Sequence, residues 1–115
     1  MTAYAIAHLR QPGIIADEVY QYMELIQATM DPFGGKFLVH GGHTRVVEGT
    51  WPGATVVLEF PGFAAAEAWY DSPEYRKILH LRTDCLVSDV ILVEGCGPDH
   101  DSAAMGGRLR AASAG

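Results

Sequence analysis

The order in which apolar residues change their spacing constrains the fold of this chain more than any other feature. Residues 3–9 alternate between large and small side chains, which is typical of a β-strand. Between residues 15 and 30 the apolar residues recur every three or four positions, as in an amphipathic helix. The same patterns return later and predict strands over 36–47, 54–60 and 86–94 and helices over 63–71 and 72–84. The predicted order is therefore β-α-β-β-α-β.

Glycine and proline residues mark the boundaries between these elements. Residues 11–13, "QPG", end the first strand, and residues 31–35, "DPFGG", end the first helix. At Ser72 and Pro73 a helix begins again, because serine suits the N-cap and proline suits the first helical position. Residues 48–53, "EGTWPG", read as a turn that joins the second and third strands.

The predicted order defines an α+β fold of the ferredoxin-like type, an antiparallel sheet with both helices on one face. Strands "VVLEF" and "VILVE" carry apolar residues on both faces, so both sides of the sheet should be covered. The helices cover only one side, and we expect a second copy of the chain, in a homodimer, to cover the other. Residues 1–95 should form this domain, and residues 96–115, rich in Gly, Ala and Ser, a flexible C-terminal tail.

Composition narrows the partners and the cellular compartment. The formal net charge is -6 and no segment concentrates Lys or Arg, so we expect neither nucleic acid nor an anionic membrane surface as a partner. No apolar run approaches the length of a membrane span, and the N-terminus does not resemble a signal peptide. Cys85 and Cys96 fit no CxxC or zinc pattern, which favours a cytoplasmic protein with two free thiols.

Four segments, "GGKFLVHGG", "VVEGTWPG", "VVLEFPGFAAAEAWYDSPEYRKILHLR" and "ILVEG", resemble the domain of unknown function 1330 family. The resemblance spans roughly residues 3–95. It implies membership of the dimeric α+β barrel superfamily, in which the sheet of one ferredoxin-like protomer packs against its partner's. That superfamily includes cofactor-free quinone-forming monooxygenases, muconolactone isomerases, polyketide cyclases, haem-degrading enzymes and non-catalytic proteins, and the family itself has no single established activity.

One departure from the family pattern concerns His40. The family often has "LVRGG" where this chain has "LVHGG", so a permanently charged arginine is replaced by a side chain that gains and loses a proton near neutral pH. The substitution makes His40 the first candidate for proton transfer.

Glu59 is the second candidate for catalysis, as a partner of His40. If residues 48–53 form the turn of a hairpin, His40 and Glu59 lie on the same face of two paired strands. A carboxylate beside an imidazole fixes its tautomer and prepares it to move a proton. Alternatively, Glu59 pairs structurally with a basic neighbour, and a bulge at the glycines would reverse the faces.

Gly41 and Gly42 interrupt the second strand. A glycine pair lets a ligand approach the backbone closely, so both are candidate ligand contacts, although a simple bulge is the alternative. His43 lies beyond this kink, and an H-x-x-H spacing on a bent strand does not place both imidazoles on one metal. We therefore predict no metal site and no cofactor.

Arg82 is the predicted anchor for a ligand. It follows Tyr75 by seven residues and Ile78 by four, so it lies on the inward face of the last helix. An inward arginine needs an anion, which is either a substrate carboxylate or an acid of the protein, such as Glu59 or an acid of the partner chain.

Three further residues are candidate ligand contacts. Tyr70 and Tyr75 flank the helix break and could present a hydroxyl to a ligand, although packing with a hydrogen-bonded tip is the commoner arrangement. His8 shares a face of the first strand with Tyr4 and Ile6, and it either joins the pocket or is a satisfied core histidine.

These candidates favour a small cofactor-independent enzyme that acts on a hydrophobic or carboxylated small molecule by proton transfer, as an isomerase, cyclase or lyase. His40 would move the proton, Glu59 would orient the imidazole of His40, and Arg82 would hold the anionic group of the substrate. The alternative is a non-catalytic dimer that binds a small ligand or a protein, with these three residues in a closed structural network. A metal or haem protein that uses His40 or His43 ranks last.

Overall fold

The computed structural model describes residues 1–11 and 13–114. Its elements are β1 Ala3–Arg10, α1 Asp17–Met30, a 3-10 turn Asp31–Phe33, β2 Lys36–His40, β3 Ala54–Phe60, α2 Phe63–Asp71, α3 Pro73–Thr83, β4 Val87–Glu94 and α4 Ser102–Ala114. The β-α-β-β-α-β order is confirmed, with the second helical region divided at Ser72. Pro12 of the predicted "QPG" turn and Gly115 of the predicted tail lie outside the described residues.

The four strands form one antiparallel sheet in the order β2-β3-β1-β4. At its centre, Ala5 of β1 stands opposite Leu58 of β3 and Leu92 of β4. These residues pack with Ile26 of α1 and Trp69 of α2 in one buried cluster. The helices α1, α2 and α3 therefore cover the same face of the sheet, which we call the helix face, and the ferredoxin-like α+β fold is confirmed.

Trp69 anchors the core between the helices and the sheet. It is 2% exposed, and its ring centre lies 5.2 Å from that of Phe60 and 4.3 Å from that of Tyr75. Its indole Nε1 donates a hydrogen bond of 3.0 Å to Thr29 Oγ1. Because its one polar atom has a partner, this large side chain is buried without an unsatisfied donor.

The break between α2 and α3 follows the pattern read from the sequence. The Ser72 hydroxyl accepts a hydrogen bond of 3.3 Å from the backbone N–H of Tyr75, and Pro73 occupies the first turn of α3. The new helix direction carries Tyr75 and Arg82 on the side that faces the sheet. A local capping signal thus positions two residues of the candidate site.

The second strand is shorter than predicted. It ends at His40 instead of continuing to residue 47, and residues 41–53 form a loop in place of the six-residue turn over 48–53. Gly41 and Gly42 have φ angles of 74° and 81°, in the left-handed region that favours glycine, and the chain leaves the sheet there. The Gly41 N–H still donates a hydrogen bond of 2.9 Å to the Thr55 carbonyl oxygen.

The face of the sheet opposite the helices, which we call the open face, carries large apolar side chains. Ile91 and Val93 of β4 are 56% and 38% exposed, and Val39 of β2 is 39% exposed. Ile91 stands directly opposite Ile6 of β1. An exposed apolar strip of this kind on one face of a sheet is typical of a surface that another layer covers.

The C-terminal segment contains a helix that the sequence did not predict. Helix α4 spans Ser102–Ala114, and the Asp101 carboxylate caps it by accepting hydrogen bonds from the N–H groups of Ala103 and Ala104. Every described residue of the helix is exposed, which agrees with its lack of an apolar face. The prediction that residues 96–115 form a flexible or lightly docked tail stays a prediction.

Candidate functional site

A cavity of about 260 Å³ lies between the helix face of the sheet and helices α1 and α3. Its floor is formed by the short side chains of Ala5 and Ala7 on β1 and Ala54 on β3. Because a methyl group fills little of the space above a sheet, room remains beneath the helices. The walls are mostly apolar, and the volume is close to the smaller pockets that hold small molecules.

Arg82 lines this cavity and is only 4% exposed. Its guanidinium Nη2 donates a hydrogen bond of 3.5 Å to the Tyr75 hydroxyl, and its Cζ lies 5.7 Å from the centre of the Tyr22 ring. Within the described residues no carboxylate forms an ion pair with it. The inward position predicted from the helical spacing is correct, and most N–H donors of the guanidinium remain available to a ligand or to water.

The charge of Arg82 is retained in this apolar setting. Burial lowers the pKa of Arg82, but the phenol groups of Tyr75 and Tyr22 raise it, and the net direction is upward. Removing a cation from water without a counter-charge costs several kcal/mol, of the order of 3 or more. An anion that entered the cavity would therefore be strongly attracted to this group.

Tyr22 was missed as a candidate site residue because its spacing on α1 marks only a helical core position. Its hydroxyl lies 2.7 Å from that of Tyr75, and both rings line the cavity. Burial, together with the neighbouring Tyr75, raises the pKa of Tyr22, so its phenol stays protonated. The signal in the sequence was a tyrosine in an apolar stripe, whose hydroxyl needs a partner. The two phenols form a pair of hydrogen-bonding groups next to Arg82.

His40 lies at the end of β2, where it is exposed and lines the cavity together with Gly41. It stands opposite Val56 of β3, and its ring stacks on that of Phe37 with the centres 4.4 Å apart. The imidazole is thus at a solvent-accessible part of the lining, whereas Arg82 is in its buried part. The cavity brings together four of the predicted site residues, His40, Gly41, Tyr75 and Arg82.

The predicted His40–Glu59 pair is wrong. A register shift between Phe37 and Val39 places Lys36 opposite Glu59 and His40 opposite Val56. This irregularity reverses the face on which His40 lies. Glu59 is therefore on the open face, where its Oε1 lies 3.6 Å from Lys36 Nζ. The alternative reading, a structural pair between Glu59 and a basic neighbour, is the one that the structure shows.

Three other predicted ligand contacts, His8, Gly42 and Tyr70, do not line the cavity. His8 stands opposite Thr55 and Asp89 on the open face, and its ring packs on Trp51 with centres 4.3 Å apart, so it does not join the cavity as predicted. Gly42 is not among the residues that line the cavity. Tyr70 lines a neighbouring hollow, which also includes Arg82.

Three further features were considered in the described residues: a metal site, a reactive cysteine and a membrane-spanning helix. Over residues 1–11 and 13–114, no cluster of three or more His, Cys, Asp and Glu side chains is arranged to hold a metal ion. Burial raises the pKa of the Cys85 thiol, and the carboxylates of Glu18 and Asp84 add to this effect, which disfavours the nucleophilic thiolate. In the same part of the chain no helix has both the length and the apolar character needed to cross a membrane.

Solved structures with the same fold include several proteins described as dimeric or of unknown function. A protein of unknown function from Rhodopseudomonas palustris is 17% identical, with 84% of each chain covered and a TM-score of 0.68. A dimeric ferredoxin-like protein of unknown function from Thermobifida fusca is 18% identical, with 83% of this chain and 92% of that chain covered and a TM-score of 0.60.

An enzyme also shares the fold. A cofactor-independent oxygenase from Streptomyces nogalater is 12% identical, with 87% of this chain and 98% of that chain covered and a TM-score of 0.57. A comparison with curated proteins gives no significant match.

The resemblance noted in the strands and in the segment around Ser72 extends over almost the whole ferredoxin-like domain. The family model of the domain of unknown function 1330 matches residues 2–96. The chain therefore belongs to the domain of unknown function 1330 (DUF1330) family.

Proposed function

We propose that this chain is a small cofactor-independent enzyme that acts on an apolar, carboxylated small molecule by proton transfer. The observation that carries the proposal is Arg82, a buried cation in an apolar cavity that has no carboxylate partner among the described residues. A ligand carboxylate would supply the missing counter-charge and accept two parallel hydrogen bonds from the guanidinium. The apolar walls would bind the rest of the molecule.

The reaction begins with the transfer of a proton to or from His40. The imidazole would take a proton from a carbon next to a carbonyl group, while Arg82 holds the carboxylate. The hydroxyl pair of Tyr22 and Tyr75 would donate a hydrogen bond to the oxygen on which negative charge develops. Isomerisation, cyclisation and elimination by a lyase share this first step. Glu59 has no part in it, because it lies on the opposite face of the sheet.

The comparisons support an enzyme of this size at the level of the fold. The oxygenase from Streptomyces nogalater is described as cofactor-independent and has the same architecture. Catalysis without a cofactor is therefore compatible with a ferredoxin-like chain.

We also propose that the protein is cytoplasmic. Cys85 and Cys96 are free thiols, and free thiols are typical of a reducing compartment.

We also propose that the open face pairs with a second copy of the chain to form a homodimer. The support is the exposed apolar strip that includes Ile91, Val93 and Val39, together with the dimeric state described for the Thermobifida fusca protein. Covering this strip would bury apolar surface on both copies at once. The cavity lies on the opposite side of the sheet, so each copy would keep its own ligand site.

Phenylpyruvate is a suitable probe of the proposed chemistry, because it combines an aromatic ring, a carboxylate and an acidic C–H bond. We expect the protein to accelerate exchange of the methylene protons of phenylpyruvate for deuterium in D₂O. The exchange is measured as the loss of their proton NMR signal. His40→Asn should reduce this acceleration by about 100-fold or more, the usual contribution of a general base. Arg82→Met should weaken binding of phenylpyruvate while the exchange in the bound state persists.

His43→Asn provides the matched control, because His43 is an exposed histidine three positions from His40 and does not line the cavity. This variant should exchange phenylpyruvate as the wild type does. Exchange that is unchanged in His40→Asn would refute the proton-transfer role. Binding without any exchange in the wild type would instead establish the non-catalytic ligand-binding alternative.

A further inference from the structure

The irregularity in β2 decides which side chain stands beside His40. In a regular strand, side chains alternate between the two faces of the sheet, so residues three positions apart lie on opposite faces. The register shift between Phe37 and Val39 adds one residue and breaks this alternation. Phe37 and His40 therefore lie on the same face, the helix face, and both line the cavity.

The rings of Phe37 and His40 stack on each other. Their centres are 4.4 Å apart and the angle between their planes is 20°. The nitrogens of an imidazole lie in the plane of the ring, so this stack covers one face of His40 and leaves both nitrogens free to bond. Within residues 1–11 and 13–114, neither nitrogen has a hydrogen-bond partner and no carboxylate pairs with the ring. The imidazole therefore has a stacking partner there and no polar one.

Phe37 is a fixed surface for this contact. It is half-buried and packs against the buried core cluster, and its backbone is paired with Leu58 of β3. His40, in contrast, is exposed at the end of the strand. An exposed side chain samples several rotamers, and a stacked aromatic partner favours one of them by a factor of about three to ten. The stack thus orders a side chain that would otherwise be mobile.

We propose that Phe37 is a positioning residue, which holds the imidazole of His40 in the orientation that proton transfer requires. The proposal rests on the function proposed above and deepens it. A carboxylate commonly orients a catalytic histidine and occupies its second nitrogen. Here an aromatic ring has the orienting role. The neutral imidazole takes the proton of the ligand on its unprotonated nitrogen, and the resulting imidazolium releases the proton of its other nitrogen to water.

Phe37→Leu tests the proposal, because it removes the ring and keeps an apolar side chain. Deuterium exchange of phenylpyruvate measures turnover. Calorimetric titration with 3-phenylpropionate, which has the ring and the carboxylate of phenylpyruvate but no ketone, measures binding. We expect turnover at saturating phenylpyruvate to fall about threefold to tenfold, as the favoured rotamer of His40 loses its population, and the affinity for 3-phenylpropionate to fall by a smaller factor.

Two further variants separate the stack from a general effect of the substitution. Phe37→Tyr keeps an aromatic ring and should restore most of the turnover. Phe63→Leu is the matched control, because Phe63 is an exposed phenylalanine of α2 that does not line the cavity. This variant should exchange phenylpyruvate as the wild type does.

Proton NMR reports the contact independently of turnover, because a stacked phenyl ring moves the signals of the imidazole protons upfield. His40→Asn identifies these signals by their loss, and Phe37→Leu should move them downfield. If the signals move and turnover at saturation is unchanged, or if Phe37→Tyr fails to restore turnover, the positioning role is refuted and the proposed function stands. Signals of His40 that are not upfield in the wild type would refute the stack itself. A wild type that exchanges no phenylpyruvate would overturn both proposals.

Discussion

The two faces of the sheet differ in how they accommodate charge. On the open face, charged side chains have partners: Arg10 Nη1 lies 2.8 Å from Asp89 Oδ2, and Lys36 Nζ lies 3.6 Å from Glu59 Oε1. On the helix face, Arg82 is 4% exposed and pairs with no carboxylate in the described residues. The pairs on the open face are partly exposed and contribute little to stability, whereas an unpaired buried cation opposes folding. The proposed ligand carboxylate would supply the counter-charge that Arg82 lacks among the described residues.

The faces also differ in the size of their side chains. Along the central strand, the helix face has Ala5 and Ala7, while the open face has Tyr4 and Ile6. Small residues beneath the helices leave a cavity, and large residues on the other side form a strip for an interface. The same sheet thus presents a candidate ligand site on one side and a candidate dimer surface on the other.

The largest expected effect concerns the open face. Ile91→Asp places a charge within the apolar strip, beside Ile6. We expect the dissociation constant of the dimer to rise by about a hundredfold or more, because an unpaired carboxylate would be buried. Sedimentation velocity measures the change. The control is Leu25→Asp, which makes the same substitution at an exposed apolar residue of α1. A dimer that persists in Ile91→Asp would place the interface elsewhere.

The next effect concerns the cavity. Ala7→Leu should fill part of the space beneath α1, lower the affinity for 3-phenylpropionate by about tenfold or more, and raise the free energy of unfolding by about 0.5–2 kcal/mol, as other cavity-filling changes do. Ala64→Leu, on the exposed surface of α2, is the matched control and should leave the affinity unchanged. Unchanged binding by Ala7→Leu would show that the ligand does not use this cavity.

The smallest effect is expected for an ion pair of the open face. Lys36→Met should change the free energy of unfolding by less than about 1 kcal/mol, because the lysine is well exposed and its pair with Glu59 is screened by water. Urea denaturation measures this change, and 3-phenylpropionate should bind the variant normally. A loss of more than about 2 kcal/mol would mean that the paired charges also stabilise the fold strongly.

The parts of the fold that depend on local signals could be predicted from the sequence. Alternation and helical spacing gave the element order, and Ser72 followed by Pro73 gave the start of α3. The inward position of Arg82 followed from its spacing on that helix. These features depend on neighbouring residues alone, so the sequence contains the information needed to place them.

The parts that depend on register and on long-range contacts could not be predicted. The irregularity between Phe37 and Val39 reverses the side on which His40 lies, and nothing in "KFLVH" marks it. Tyr22 becomes a site residue only because α1 packs against α3, which brings its hydroxyl to that of Tyr75. Helix α4 was missed because its Gly-containing segment has no apolar stripe that would indicate a helix.

The most direct test is the free energy of unfolding of the wild type and of Arg82→Met, each with and without saturating 3-phenylpropionate. We expect the methionine variant without ligand to be more stable by about 1–4 kcal/mol, because methionine keeps the apolar stem and removes an unpaired buried charge. The ligand should stabilise the wild type by about 2.7 kcal/mol at 100 times its dissociation constant and leave the variant unaffected. A variant that is less stable than the wild type by a similar amount, with equal ligand effects on both, would show that Arg82 is structural.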